Sequence, residues 1–340
     1  MGRLRKKISI DEISKKGPSQ IIDDISNTRY SLLRSLGCWQ LNIIFFWVRI
    51  ACRFFLGIAE IRAKSKRYHG LKRTIALRNS LGTIFARGAP FLIDNPDAFP
   101  ILEKREEREY LDCGLVIGFN HPSLGEVIRL MAICMINYDT KRYLFPVNVV
   151  WFEALAPVID RLSAYGFTLM PVITPSAKET IERHCRYKEA LDIIDTLASG
   201  FSRAYIDRSA EFIRDKQIVL VAPSARRKLH IFSAKSLRDG NQPIEPQTMT
   251  LLARSLGVKR INYAILPLAV IPPRSCSRGL NLLKCYQFSP CKIMMADEVN
   301  PICKEREAHC EGRRFERYFL EAIAQMLERY SAYDMLYGPD

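Results

Sequence analysis

Two short segments of this chain hold side chains that can do chemistry together. The first, Gly118-Phe119-Asn120-His121-Pro122-Ser123-Leu124-Gly125-Glu126, sets an imidazole and a carboxylate five positions apart. A carboxylate that reaches one imidazole nitrogen fixes the tautomer and stabilises the imidazolium, and the other nitrogen is left to take a proton from a hydroxyl. His121 and Glu126 are therefore the candidate catalytic pair, a general base and its orienting carboxylate, with no serine or cysteine nucleophile required. Asn120 and Ser123 flank the pair, where they can orient it or meet a developing oxyanion. The competing reading of His121 is a structural histidine at a strand–helix corner.

The second segment, Pro223-Ser224-Ala225-Arg226-Arg227-Lys228, presents three consecutive cations after an apolar run. Guanidinium forks bind phosphate oxygens in bidentate fashion, and a strand-end loop adds backbone N–H groups. Pro223, Ser224, Arg226, Arg227 and Lys228 are thus candidate substrate-binding residues for a phosphorylated molecule. A basic surface turn is the plainer alternative.

From about residue 80 onward, short apolar runs alternate with helical patterns, which signals an α/β domain. Residues 115–119 read as a buried strand that delivers His121 to its carboxyl end, and residues 124–136 as the helix that follows, capped by Ser123 or a neighbour. Ligand sites in open α/β sheets lie at the carboxyl ends of strands. Residues 218–222 (Ile-Val-Leu-Val-Ala) form the strand leading into the basic segment. Further strands are expected over 144–150 and 263–271, and further helices over 187–197 and 315–330.

These residues resemble the glycerolipid acyltransferase family, which includes glycerol-3-phosphate and lysophosphatidate acyltransferases. The family's first block is commonly written Asn-His-x-Ser-x-x-Asp; Asn120, His121 and Ser123 match it, and Glu126 stands at the aspartate position. Its third block, Phe-Pro-Glu-Gly-Thr-Arg-Ser, is assigned to the acceptor phosphate. Pro223 and Arg227 match its proline and arginine, while Ser224 and Ala225 replace Glu and Gly. Ala222-Pro223-Ser224 followed by Arg227 also looks like the Ala-Pro-Ser-Gly-Gly-Arg block of the soluble, plastid-type members. Residues 164–171, a glycine followed by a strand, lie where the second block falls; Arg183 and Arg208 are the candidates for its arginine. Residues 264–270, an apolar strand broken by Pro267, resemble the fourth block, thought to line the acyl site. The four segments run in the family's order and cover roughly half the chain, from about residue 115 to 271.

The resemblance implies an α/β fold, a mixed β-sheet flanked by helices, with the His121 and Arg227 loops at one edge. It also implies acyl transfer from a thioester donor, acyl-CoA or acyl-carrier-protein, to a hydroxyl of glycerol-3-phosphate or a lysophospholipid. His121 would be the base and Arg226, Arg227 and Lys228 would hold the acceptor phosphate. No cofactor beyond the acyl co-substrate is implied, and no metal.

The remaining sequence bounds where such a protein would work. A formal net charge of +15 attracts nucleic acid, anionic lipid or phosphorylated substrates without separating them. No basic-aromatic interleaving on a recognisable sheet or helix supports nucleic acid as a partner. Residues 41–58 are nearly long enough to span a bilayer, but Arg49 and Arg53 are costly at its centre. Their spacing puts both on one helical face, with Phe45, Phe46, Phe54 and Phe55 available for an apolar side, and a basic run without acidic residues follows from Arg62 to Arg78. Residues 1–80 are accordingly expected to be a helical, basic extension that contacts an anionic membrane surface, its first 28 residues loosely ordered, and residues 81–340 the α/β domain. The expected location is the cytoplasmic face of a membrane. The ten cysteines show no C-x-x-C spacing and read as reduced thiols, not as zinc ligands. The rival from another class is a binding protein of the same fold that holds lipid or phosphate but has lost catalysis, favoured by Glu126, Ser224 and Ala225.

Overall fold

The computed structural model describes residues 9–16, 18–26, 30–64, 71–89, 91–93, 112–119, 125–138, 141–186, 191–222, 248–271, 285–296 and 322. The chain divides into two units: Met1–Arg67 with Leu144–Arg208, and Tyr68–Tyr143 with Ser209–Asp340.

The second unit carries the sheet on which the candidate site depends. Its strands are β1 (Phe91–Ile93), β2 (Gly114–Phe119), β5 (Ile218–Val221), β6 (Tyr263–Ile271), β7 (Tyr286–Pro290) and β8 (Met294–Met295). They run in the order β1-β7-β6-β2-β5, with β8 pairing β6. The sheet is mixed: β2 is parallel to both β5 and β6, whereas β6 is antiparallel to β7 and β8. All six residues of β2 and all four of β5 are buried, as are eight of nine in β6. Strands covered on both faces read as continuous apolar runs instead of alternating ones, which is why these three stand out in the sequence. Pro267 sits inside β6 without an N–H to give, and its carbonyl accepts the N–H of Cys291 at 2.9 Å.

Helices α5 (Leu71–Gly88) and α6 (Gly125–Asn137) pack on one another in this unit. Gly82 makes their close approach possible: a Cβ there would lie 3.0 Å from Ile136 and 3.1 Å from Met135. Helix α10 (Thr248–Val258) leads into β6. The expected strand over 263–271 is observed with those bounds, and the expected strand–helix pair around His121 appears as β2 and α6.

The first unit holds α1 (Ile10–Lys15), α2 (Pro18–Ser26), α3 (Leu32–Ser35), α4 (Trp39–Lys64), α7 (Val149–Ala164), β4 (Phe167–Val172), α8 (Pro175–His184) and most of α9 (Leu191–Arg214). Strand β3 (Tyr143–Asn148) lies beside β4. Within the first 28 residues, expected to be loosely ordered, two helices are described, α1 and α2. Ser9 caps α1 by accepting the Glu12 N–H, and Ile13, Ile21, Ile22 and Ile25 are buried. Four isoleucines on two short helices are enough to anchor a segment that its Lys and Asp content makes look solvent-borne. The strand expected over 144–150 ends two residues early, because the Asn148 side chain accepts the Val150 N–H at 2.9 Å and caps α7. The helix expected over 187–197 is described from Leu191 and runs on to Arg214, residues 187–190 lying outside the described residues, and the one expected over 315–330 falls outside them apart from Ala322.

One buried group organises the first unit. Glu153, in α7, is fully buried and accepts hydrogen bonds from Ser31 Oγ and, at 3.0 Å, from the Leu33 N–H. Both donors sit in the first turn of α3, whose orphan amides and positive dipole end suit a carboxylate. Arg49, on α4, donates to the carbonyl of Glu153 at 3.3 Å.

Candidate active site

The sheet register decides which parts of the sequence can meet. In β2 and β5, Leu115 lies opposite Ile218 and Gly118 opposite Val221, and the two strands run in the same direction. Their described carboxyl ends, Phe119 and Ala222, are therefore neighbours. Asn120, His121 and Ser123 follow Phe119 directly, and Pro223 follows Ala222. Those residues, with Ser224, Arg226, Arg227 and Lys228, lie outside the described residues. On the other side of β2, Phe119 pairs with Leu268 of β6, so the apolar segment around Pro267 borders the same end.

Glu126 is described, and its position is informative. It occupies the first turn of α6 and is fully buried. A carboxylate in the first turn is stabilised by the helix dipole. A buried carboxylate is tolerated only when hydrogen-bonded or paired, so Glu126 is a built feature of this end of the sheet.

Arg129 was not marked by the sequence reading. It follows Glu126 by one helical turn, is also fully buried, and lays its guanidinium over the Tyr286 ring at 4.1 Å from the centroid. Stacking of this kind is worth about 2 kcal/mol when desolvated. The signal was present: Glu126 and Arg129 are opposite charges three apart at the head of a helix that is otherwise almost wholly apolar. Two buried charges of opposite sign one turn apart mark the mouth of α6 as a polar site inside a greasy helix.

The second-block segment belongs to the other unit. Gly166 has φ 89°, in the left-handed region that favours glycine, and it turns the chain from α7 into β4. Arg183 and Arg208, the two arginines considered for that block, are both exposed, at the end of α8 and on α9.

Several titratable groups lie away from this end. Burial lowers the Lys141 ammonium, whose Nζ donates to the Lys216 carbonyl at 2.9 Å. Burial raises the Cys113 thiol, just ahead of β2. Both sit at the amino end of β2, opposite the end that leads to His121. Among the described residues no group of three or more His, Cys, Asp or Glu is arranged to hold a metal ion. Neither a family model nor a curated protein matches this chain.

Proposed function

We propose that this protein is an O-acyltransferase of the glycerolipid type. It would transfer a fatty acyl group from acyl-CoA or acyl-carrier-protein to a hydroxyl of glycerol-3-phosphate or a lysophospholipid, in phospholipid biosynthesis at the cytoplasmic face of a membrane. The observation that carries the reading is the parallel register of β2 and β5. It makes neighbours of the strand ends that lead into His121 and into the Arg226-Arg227-Lys228 segment, with Glu126 buried in the adjoining helical turn.

In this reading His121, oriented by Glu126, accepts the proton of the acceptor hydroxyl as its oxygen attacks the thioester carbonyl. The tetrahedral intermediate collapses with cleavage of the C–S bond, and the imidazolium returns its proton to the departing thiolate. The products are an ester and a free thiol, and no acyl-enzyme forms. Asn120 or Ser123 would face the oxyanion. Arg226, Arg227 and Lys228, with Pro223 and Ser224 shaping their loop, would hold the acceptor phosphate and fix its hydroxyl against His121.

The test follows labelled acyl transfer from each donor to a panel of glycerol-3-phosphate and lysophospholipids, with Arg227→Ala beside wild type. Transfer to a phosphorylated acceptor, with the acceptor KM raised about tenfold or more in the variant and kcat less affected, supports the reading. The second reading, a lipid- or phosphate-binding protein of the same fold without catalysis, draws on Glu126 for Asp and on Ser224 and Ala225 for Glu and Gly. It becomes the better account if wild type binds phosphorylated lipid and transfers to none.

A further inference from the structure

Helix α4 spends one face on its own unit and exposes apolar side chains on the other. On the inner face Leu41, Phe45 and Leu56 are buried, Phe45 packs on Trp151 with ring centroids 5.5 Å apart, and Glu60 receives Arg161 at 2.9 Å and the Tyr165 hydroxyl at 2.7 Å. On the outer face Phe46 is 54%, Trp47 70%, Ile50 45%, Phe54 63% and Ile61 71% exposed. At about 100° per residue these five fall within a sector of roughly 100°, spread along some four turns of helix. Large exposed apolar side chains are unremarkable singly; aligned in one stripe with two Phe and a Trp, they mark a docking surface.

We infer that this stripe is the surface by which the protein docks on an anionic bilayer. Phe46, Trp47, Ile50, Phe54 and Ile61 would enter the headgroup–acyl boundary while α4 lies parallel to the membrane plane. Three observations select this occupant. First, the charge fits. Between positions 41 and 67 the sequence carries six basic residues and one acidic residue, Glu60, which is turned inward onto Arg161. Arg53 is exposed beside the stripe. Cations near an anionic surface add to the attraction. Second, among the described residues no helix is long and apolar enough to cross a membrane, so α4 is suited to lie on a bilayer and not to span it. Third, the composition is interfacial: aromatic side chains prefer the headgroup boundary, and an arginine at the edge of the stripe can reach lipid phosphate.

This assigns a surface to the membrane placement proposed above, and its test does not depend on catalysis. Binding of the full chain to phosphatidylcholine vesicles, with and without phosphatidylglycerol, is measured by co-sedimentation at low and high salt. Wild type is run beside Trp47→Glu/Phe54→Glu, Arg53→Glu and His121→Ala. Both stripe positions are exposed, so the double variant should keep its thermal transition. Expected are salt-weakened binding to anionic vesicles, a loss of about tenfold or more in the double variant, a smaller loss in Arg53→Glu, and none in His121→Ala. Quenching of Trp47 fluorescence by brominated lipid, lost in Trp47→Phe, would support the same geometry. Undiminished binding by the double variant overturns the inference, as does failure of wild type to bind anionic vesicles. A double variant that keeps vesicle binding while losing self-association would hand the stripe to a second copy of the chain.

Discussion

Glu126 stands where the resembled family carries aspartate, one methylene longer, and it is fully buried in the first turn of α6. If it orients and charge-stabilises His121, Glu126→Gln keeps the shape and removes the charge. We expect kcat to fall by about 10²-fold or more with the acceptor KM little changed. A structural carboxylate would instead lower the melting temperature and leave the kcat of the folded fraction intact, so both are measured on one sample. The buried acids and phenols supply a second prediction. Burial pushes the Cys38 thiol up to about 12, helped by the neighbouring Cys185 thiol and Glu153. Tyr165 and Tyr263 are raised above the ordinary phenol range, chiefly by burial, and Tyr165 also by Glu60. Groups whose folded values are raised give stability that is whole below their ordinary values and lost as pH climbs toward the folded ones. Urea unfolding should thus show stability falling from about pH 9 upward, with a shallower decline in Cys38→Ala. At neutral pH Cys38 should resist thiol reagents, and Cys285, which is exposed, should react.

At the scale of elements, the start of β2 and the cap of α3 are the points where one atom decides. A Cβ on Gly114 would meet the Ile213 carbonyl oxygen at 2.5 Å and its Cα at 2.6 Å, both backbone. Gly114→Ala should destabilise the second unit by roughly 1–3 kcal/mol in denaturant titration, because neither atom can rotate away. Glu153→Ala would orphan the Ser31 hydroxyl and the Leu33 amide, at about 1–3 kcal/mol for each donor left buried and unmade. A change below that range would mean that water takes the carboxylate's place. The strands that frame the candidate site were legible because β2, β5 and β6 are apolar throughout and end in turn residues. What was not legible has physical reasons. Ile21, Ile22 and Ile25 are spaced for a helix but sit among Asp and Ser, so their burial depends on a partner distant in sequence. Asn148 ends β3 through a local cap inside an apolar run that reads as uninterrupted strand. Glu153 is a charge whose burial only tertiary packing reveals. The candidate site residues were chosen by type and spacing, and the fold added a fact that spacing cannot give, that β2 and β5 are parallel neighbours.

At the scale of the whole molecule, parallel strands of an α/β sheet lead into the proposed site, and α4 exposes a stripe of apolar side chains. Each is separable by experiment. Vesicle binding is expected to depend on Trp47 and Phe54 and not on His121, and the proposed acyl transfer to depend on His121 even with soluble donor and acceptor. The most direct test of the central claim is therefore the rate of acyl transfer from acyl-CoA or acyl-carrier-protein to glycerol-3-phosphate and lysophosphatidate by wild type and by His121→Ala, both checked for an intact thermal transition. The account predicts measurable transfer by wild type to at least one acceptor and a drop of about 10³-fold or more in kcat for the variant. Equal rates for the two proteins, or no transfer by wild type to any acceptor, would contradict it.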